Sequence, residues 1–231
     1  MTSAARSRTG PAMTDLSQLD GPRVLPASGG APKQIVILVH GYGSNGHDLI
    51  GLAPALQPAL PDAVFVSPHA PQRMQELAEG YQWWPINTFS MQERAEGAKA
   101  AAPVLNAFID QELERYGLSE DKLALVGFSQ GTMMSLYVGP QREKQIAGIV
   151  GYSGMVVDEA ALKATMKTKP PVLLAHGDAD PVVPFAAFHH AGATLQGLGF
   201  EVFGYQAKGV GHSIDNDGLR LGRDFLVKVL G

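Results

Sequence analysis

The sequence predicts an α/β fold: a doubly wound, mostly parallel sheet with helices on both faces. Three observations predict it. Short apolar, β-branched runs alternate with helical segments from residue 34 to the C-terminus. The runs are nearly continuous in apolar character, as in Gln34–Val39 (QIVILV), which is how strands covered on both faces look. Glycine-rich polar loops follow the ends of those runs, where a parallel sheet places its functional groups. At 231 residues, 45% apolar and 17% charged, the chain suits one globular domain, and it has no internal repeat.

The first residues, MTSAARSRTGPAMTDLS, carry two arginines but no apolar core of a secretory signal. Residues 1–20 are expected to be a disordered tail, with Met13 an alternative start, and residues 21–231 to form the domain. Arg23-Val24-Leu25 can form an edge strand. Gln34–Val39 is a buried strand ending in His40-Gly41-Tyr42-Gly43-Ser44-Asn45-Gly46. That loop matches neither G-x-G-x-x-G nor the P-loop, so an oxyanion loop is the alternative to a phosphate cradle. Asp48–Leu60 is a helix interrupted near Pro54, and Ala63–Ser67 is the next strand.

Residues 72–94 are the least regular stretch and hold both tryptophans. Such an aromatic excursion above a sheet can wall an acyl pocket or simply pack itself down. Trp84 and Phe89 are its candidate substrate-binding residues, and Val183 is a third, in a later loop. Gly97–Tyr116 is the clearest helix, with Val104, Leu105, Phe108, Ile109, Leu113 and Tyr116 at helical spacing and Gly117 as the stop. Glu112, Glu114 and Arg115 are expected on its solvated face.

Leu123–Val126 is a buried strand, broken by Gly127-Phe128-Ser129-Gln130-Gly131 and followed by an apolar helix. G-x-S-x-G between strand and helix is the nucleophile elbow: the serine occupies a strained turn, and glycines clear the neighbouring backbone. The Gln130 N–H, at a helix start, is free to receive a developing oxyanion. The strands Ile146–Val150, Val172–Ala175 and Phe200–Tyr205 follow, with helices over Ala186–Leu198 and Gly218–Leu230.

Three chemical groups then fall just beyond strand ends, in the order Ser129, an aspartate at 178 or 180, and His212. A serine needs a base to take its proton, and the imidazole needs a carboxylate to fix its tautomer. Of seven histidines, His212 alone occupies a glycine-flanked loop after the last strand. Asp178, nearer its strand end, is placed to hydrogen-bond its own turn, which favours Asp180. Asp215 and Asp217 stand too close to His212 and suit helix capping.

The absence of cysteine excludes disulfides, zinc–thiolate sites and a cysteine nucleophile, and it suits a cytoplasmic, reducing location. The net charge of −4, without a basic cluster, argues against nucleic acid as a partner. No apolar run approaches the roughly 18 residues of a membrane helix.

The chain resembles the phospholipase/carboxylesterase family of α/β hydrolases, which includes bacterial carboxylesterases and acyl-protein thioesterases. The residues that carry the resemblance are HGYGSNG at 40–46, Pro68-x-Ala70-Pro71, Trp84, GFSQG at 127–131, Ser153-Gly154, HGDADPVVP at 176–184 and GHS at 211–213. The resemblance implies the α/β-hydrolase fold, Ser129 as nucleophile, Asp180 as acid, His212 as base, and the backbone N–H groups of Tyr42 and Gln130 as oxyanion donors. It implies ester or thioester hydrolysis on small-molecule substrates without cofactor or metal, and a homodimer. Tyr42 stands where many members have leucine, and Pro85 where many have an acidic residue. The expected activity is that of a serine carboxylesterase on short- to medium-chain esters. The alternatives are a thioesterase or lysophospholipase with the same triad, a peptidase, and a non-catalytic ligand-binding protein on the same fold.

Overall fold

The computed structural model describes residues 19–231. Of the expected tail, residues 1–18 and Met13 lie outside the described residues, whereas Leu19 is buried in the core. The strands are β1 (Arg23–Val24), β2 (Gln34–Val39), β3 (Ala63–Val66), β4 (Gln72–Arg73), β5 (Tyr81–Gln82), β6 (Leu123–Phe128), β7 (Gly148–Tyr152), β8 (Val172–Gly177) and β9 (Val202–Ala207). The helices are α1 (Gly46–Leu49), α2 (Ala53–Leu56), α3 (Met91–Tyr116), α4 (Gln130–Val138), α5 (Glu159–Thr165), α6 (Ala186–Gly197) and α7 (Asn216–Leu230).

Seven strands form one sheet in the order β1-β3-β2-β6-β7-β8-β9. All neighbours pair in parallel except β1, which runs antiparallel to β3 at the edge. Successive residues of β2 divide between the two faces, as the period of two requires. Ile35, Ile37 and Val39 join a core under α3, α4, α5 and α6. Val36 and Leu38 join a second core under α1, α2 and α7. This is the doubly wound arrangement that the alternating pattern predicts.

Boundaries differ where local signals compete. The 48–60 helix is broken into α1, α2 and two short 3-10 turns, with Pro54 the second residue of α2 and Pro58 the second residue of the 3-10 turn that follows it. The strand expected over Ile146–Val150 is shifted to Gly148–Tyr152 by its pairing with β6. The irregular 72–94 stretch contains the β4–β5 hairpin and the first turn of α3. Helix α3 begins at Met91 rather than Gly97, because the Ser90 hydroxyl caps the Glu93 N–H. Glu112 is not on a solvated face: it is fully buried, and its Oε1 accepts from Arg23 Nη2 at 2.7 Å, tying α3 to β1.

Candidate active site

Strand β6 enters the elbow with φ 53° at Ser129. The Ser129 N–H donates to the Tyr152 carbonyl of β7, and the Ser129 carbonyl accepts the Met133 N–H of α4. Both flanking glycines are required by space. A Cβ on Gly127 would stand 2.5 Å from the Gly131 carbonyl oxygen, and one on Gly131 would stand 1.8 Å from the Val39 carbonyl oxygen. Strand–helix contact at this distance tolerates no side chain.

The three groups predicted from separate loops converge. Ser129 Oγ lies 3.0 Å from His212 Nε2, and His212 Nδ1 lies 2.7 Å from Asp180 Oδ2. The other Asp180 oxygen accepts the N–H groups of Val182 and Val183 at 2.8 and 2.9 Å. Burial pushes the Asp180 carboxyl up, but the His212 and backbone hydrogen bonds outweigh it and hold the carboxyl below its ordinary range. The His212 ring also packs on Phe128 at 4.9 Å between centroids.

Asp178 makes no contact with His212. It receives the Gly209 N–H at 2.6 Å and Gln206 Nε2 at 3.0 Å, so it joins the acid loop to the histidine loop rather than bonding its own turn. Asp215 caps α7 through the Gly218 N–H. A further group was not anticipated: buried His176 places Nε2 2.9 Å from the Val183 carbonyl and 3.3 Å from Asp180 Oδ2.

The loop after β2 lies over the serine. A Cβ on Gly41 would stand 3.2 Å from Ser129 Cβ. The next N–H, that of Tyr42, has no hydrogen-bond acceptor among the described residues, and the Gln130 N–H opens α4, where the helix itself supplies no acceptor. His40 braces this loop. Its Nε2 accepts the Ala70 N–H and its Nδ1–H donates to the Gly41 carbonyl, which fixes the neutral tautomer. Burial takes its pKa down to about 4. The Gln130 side chain clamps the tryptophan segment, accepting the Trp83 N–H at 2.9 Å and donating to the Trp84 carbonyl at 3.0 Å.

A cavity of about 880 Å³ is walled by Phe89, Arg94, Met155, Val157, Val182 and Pro184 among others, with none of the triad or oxyanion residues in its lining. Its link to the triad is Val182, which lines the cavity and donates its N–H to Asp180 Oδ1 at 2.8 Å. Of the three candidate substrate-binding residues, Phe89 lines this cavity, and Trp84 and Val183 do not. Trp84 turns its ring onto α3, where a Cβ on Gly97 would meet it at 2.2 Å, and it borders a separate recess. Val183 is fully buried, its N–H and carbonyl bonded to Asp180 and His176, and the neighbouring Val182 stands at the cavity wall.

Comparison with known proteins agrees with this fold. The profile of the phospholipase/carboxylesterase family matches residues 22–230. The chain belongs to that family. Acyl-protein thioesterase 1 of Gibberella zeae is 30% identical over 212 residues, covering 83% of this chain and 88% of that protein. The crystal structure of esterase PE8 superposes with a TM-score of 0.89 at 40% identity, covering 92% of this chain and 100% of that one. Acyl-protein thioesterase 2 of Zea mays superposes with a TM-score of 0.72 at 25% identity, covering 91% and 100%. As a phospholipase/carboxylesterase family member the chain is a serine-type ester hydrolase. No helix of the described residues is long and apolar enough to cross a membrane.

Proposed function

We propose that the protein is a carboxylesterase that hydrolyses short- to medium-chain esters through an acyl-enzyme, with Ser129, His212 and Asp180 as its triad. The observation that carries this reading is the unbroken hydrogen-bonded line from Ser129 Oγ through His212 to Asp180, at 3.0 and 2.7 Å. Ser129 Oγ attacks the ester carbonyl carbon as His212 Nε2 takes the hydroxyl proton. Asp180 holds the Nδ1–H tautomer and stabilises the imidazolium. The tetrahedral oxyanion rests on the Tyr42 and Gln130 N–H groups, each donor being worth roughly 3 kcal/mol. His212 returns the proton to the leaving alcohol, and a water molecule repeats the sequence on the acyl-serine, releasing the acid and restoring Ser129.

The chemistry consumes only water and ester, so the proposal includes no cofactor or metal. The apolar cavity of about 880 Å³, within the size range of small-molecule sites, supports an acyl group longer than acetyl. The thioesterase names of two relatives support thioesters as a second substrate class. The cysteine-free composition supports a cytoplasmic location, and the family resemblance supports a homodimer, which sedimentation analysis tests.

The deciding experiment is hydrolysis of p-nitrophenyl esters from C2 to C16 by the wild type and Ser129→Ala. The expected outcome is a peak at short or medium chains that the substitution removes. Ser129-independent turnover would refute the triad, and a peak at C16 would favour the long-chain alternatives.

A further inference from the structure

Phe89, on the cavity wall, holds φ 56°, in the left-handed region that a bulky side chain ordinarily avoids. It shares that conformation with only two other non-glycine residues among those described, Ser129 and Ser153, which directly follow β6 and β7. A strained residue persists where its surroundings over-determine it. At Phe89 those surroundings are two side chains from the first turn of α3.

The Glu93 carboxylate gathers three consecutive backbone N–H groups: Asn87 at 2.7 Å, Thr88 at 3.0 Å and Phe89 at 2.7 Å. It also accepts from Asn87 Nδ2 and Thr88 Oγ1. Partial burial pushes its pKa up, but these hydrogen bonds prevail and bring it down to about 2. Arg94 Nη1 donates to the Phe89 carbonyl, and its guanidinium lies over the Phe89 ring at 4.9 Å. The Phe89 N–H, carbonyl and ring are thus each engaged by residue 93 or 94. Arg94 makes no salt bridge among the described residues, so its charge is not committed to a carboxylate elsewhere. Ser90, not Glu93, provides the helix cap, because the Ser90 hydroxyl accepts the Glu93 N–H.

We infer that Glu93 and Arg94 are positioning residues: they clasp residues 87–89 and hold the Phe89 ring as the wall that sets which acyl chains the cavity accepts. This role rests on the ester-hydrolase chemistry proposed above and names the part of the molecule that selects its substrate. Releasing the clasp frees Phe89 to return to an ordinary backbone conformation, and the wall moves with it. The triad, carried on other loops, keeps its geometry.

The test is the ratio of kcat/KM for octanoyl to acetyl p-nitrophenyl ester, measured for wild type, Phe89→Ala, Glu93→Gln, Ser90→Ala and the Phe89→Ala/Glu93→Gln pair. Removing or misplacing an apolar wall changes selectivity by about tenfold or more. Phe89→Ala and Glu93→Gln should therefore shift the ratio in the same direction by about that factor. Acetyl-ester turnover in Glu93→Gln should stay within about twofold of the wild type, and the pair should shift the ratio no further than Phe89→Ala alone. Ser90→Ala removes the hydroxyl that accepts the Glu93 N–H but none of the Glu93 carboxylate's hydrogen bonds, so it should shift the ratio less than Glu93→Gln does; Glu93→Asp, measured alongside, should also shift it less than Glu93→Gln. An unchanged ratio in Glu93→Gln, or an equal loss on both esters, would overturn the inference. So would a shift in Ser90→Ala as large as that in Glu93→Gln. Absence of Ser129-dependent turnover in the wild type would instead overturn the hydrolase proposal, so the two failures are distinguishable.

Discussion

The nucleophile elbow and the 87–94 segment each bend a non-glycine residue into left-handed backbone space, with φ 53° at Ser129 and φ 56° at Phe89. Each bend costs about 1–2 kcal/mol for an L-residue. The two regions retain it by different means. Ser129 is held by the sheet: its N–H is bonded to β7, its carbonyl to α4, and glycines stand on either side because backbone fills the space where a side chain would go. Phe89 is held by the two side chains of Glu93 and Arg94. The elbow is built into the central strands and cannot be displaced without unpacking them. The clasp is built at the surface and can be released by one substitution. The comparison teaches that this molecule separates its chemistry, locked in the sheet, from its selectivity, hung on a detachable wall.

The largest expected effect breaks the chemical half of that comparison. Asp180→Asn should lower kcat by about 10⁴, because the amide leaves His212 in the wrong tautomer. Asp178→Asn should lower it by less than about tenfold, since Asp178 joins loops without contacting His212. Steady-state kinetics of the two variants decides the acid, and an inverted order would reassign it.

Next in size is a test of the elbow's rigidity. In Gly131→Ala the added methyl would stand 1.8 Å from the Val39 carbonyl oxygen and 2.7 Å from that of His40, both backbone atoms that cannot swing aside. A loss of about 3 kcal/mol or more is expected in urea unfolding, the upper range for overpacking. A loss under about 1 kcal/mol would show that the elbow yields as the clasp does.

The smallest effect concerns the joint between the two regions. The His40 ring holds Ala70, and the His40 carbonyl accepts the Trp83 indole N–H at 3.0 Å. Its pKa falls from an ordinary 6.5 in the unfolded chain to about 4 when folded. The unfolded state therefore binds the extra proton first as pH drops. His40 leaves stability intact above about pH 6.5 and withdraws about 3 kcal/mol progressively between pH 6.5 and about 4. Urea midpoints across that range should fall in the wild type and fall less in His40→Gln, measured relative to each protein's own value at pH 7.5. Parallel curves would remove His40 from the joint.

Much of the elbow was legible in the sequence, because each of its parts is a short-range necessity. An apolar β-branched run makes the strand, Gly127 and Gly131 clear the turn, and the order serine, aspartate, histidine places three loops at one sheet edge. The 87–94 segment was less legible. Its composition suggested an aromatic pocket, but the direction of each ring depends on neighbours remote in sequence. Trp84 lies on Gly97, and the carbonyl of Trp84 is held by Gln130, 46 residues away. One local signal was available: Ser90-Met91-Gln92-Glu93 has the spacing of a capping box, which marks the true start of α3. Even so, that pattern sends the glutamate back to the cap residue, whereas here it reaches three residues further to close the clasp.

The alternation of strands and helices, the parallel sheet, the glycine-cleared elbow and the serine, aspartate, histidine order at strand ends were already written in the amino-acid order. These follow from the period of apolar residues and from backbone sterics, both of which are local. Folding settles that the favoured Asp180, and not Asp178, meets His212, that Val182 rather than Val183 faces the cavity, and that Glu93 serves Phe89 rather than its own helix cap. Each of those choices is between neighbouring or equivalent groups. It is settled by where a distant backbone amide or imidazole comes to rest, and only the packed chain sets that position.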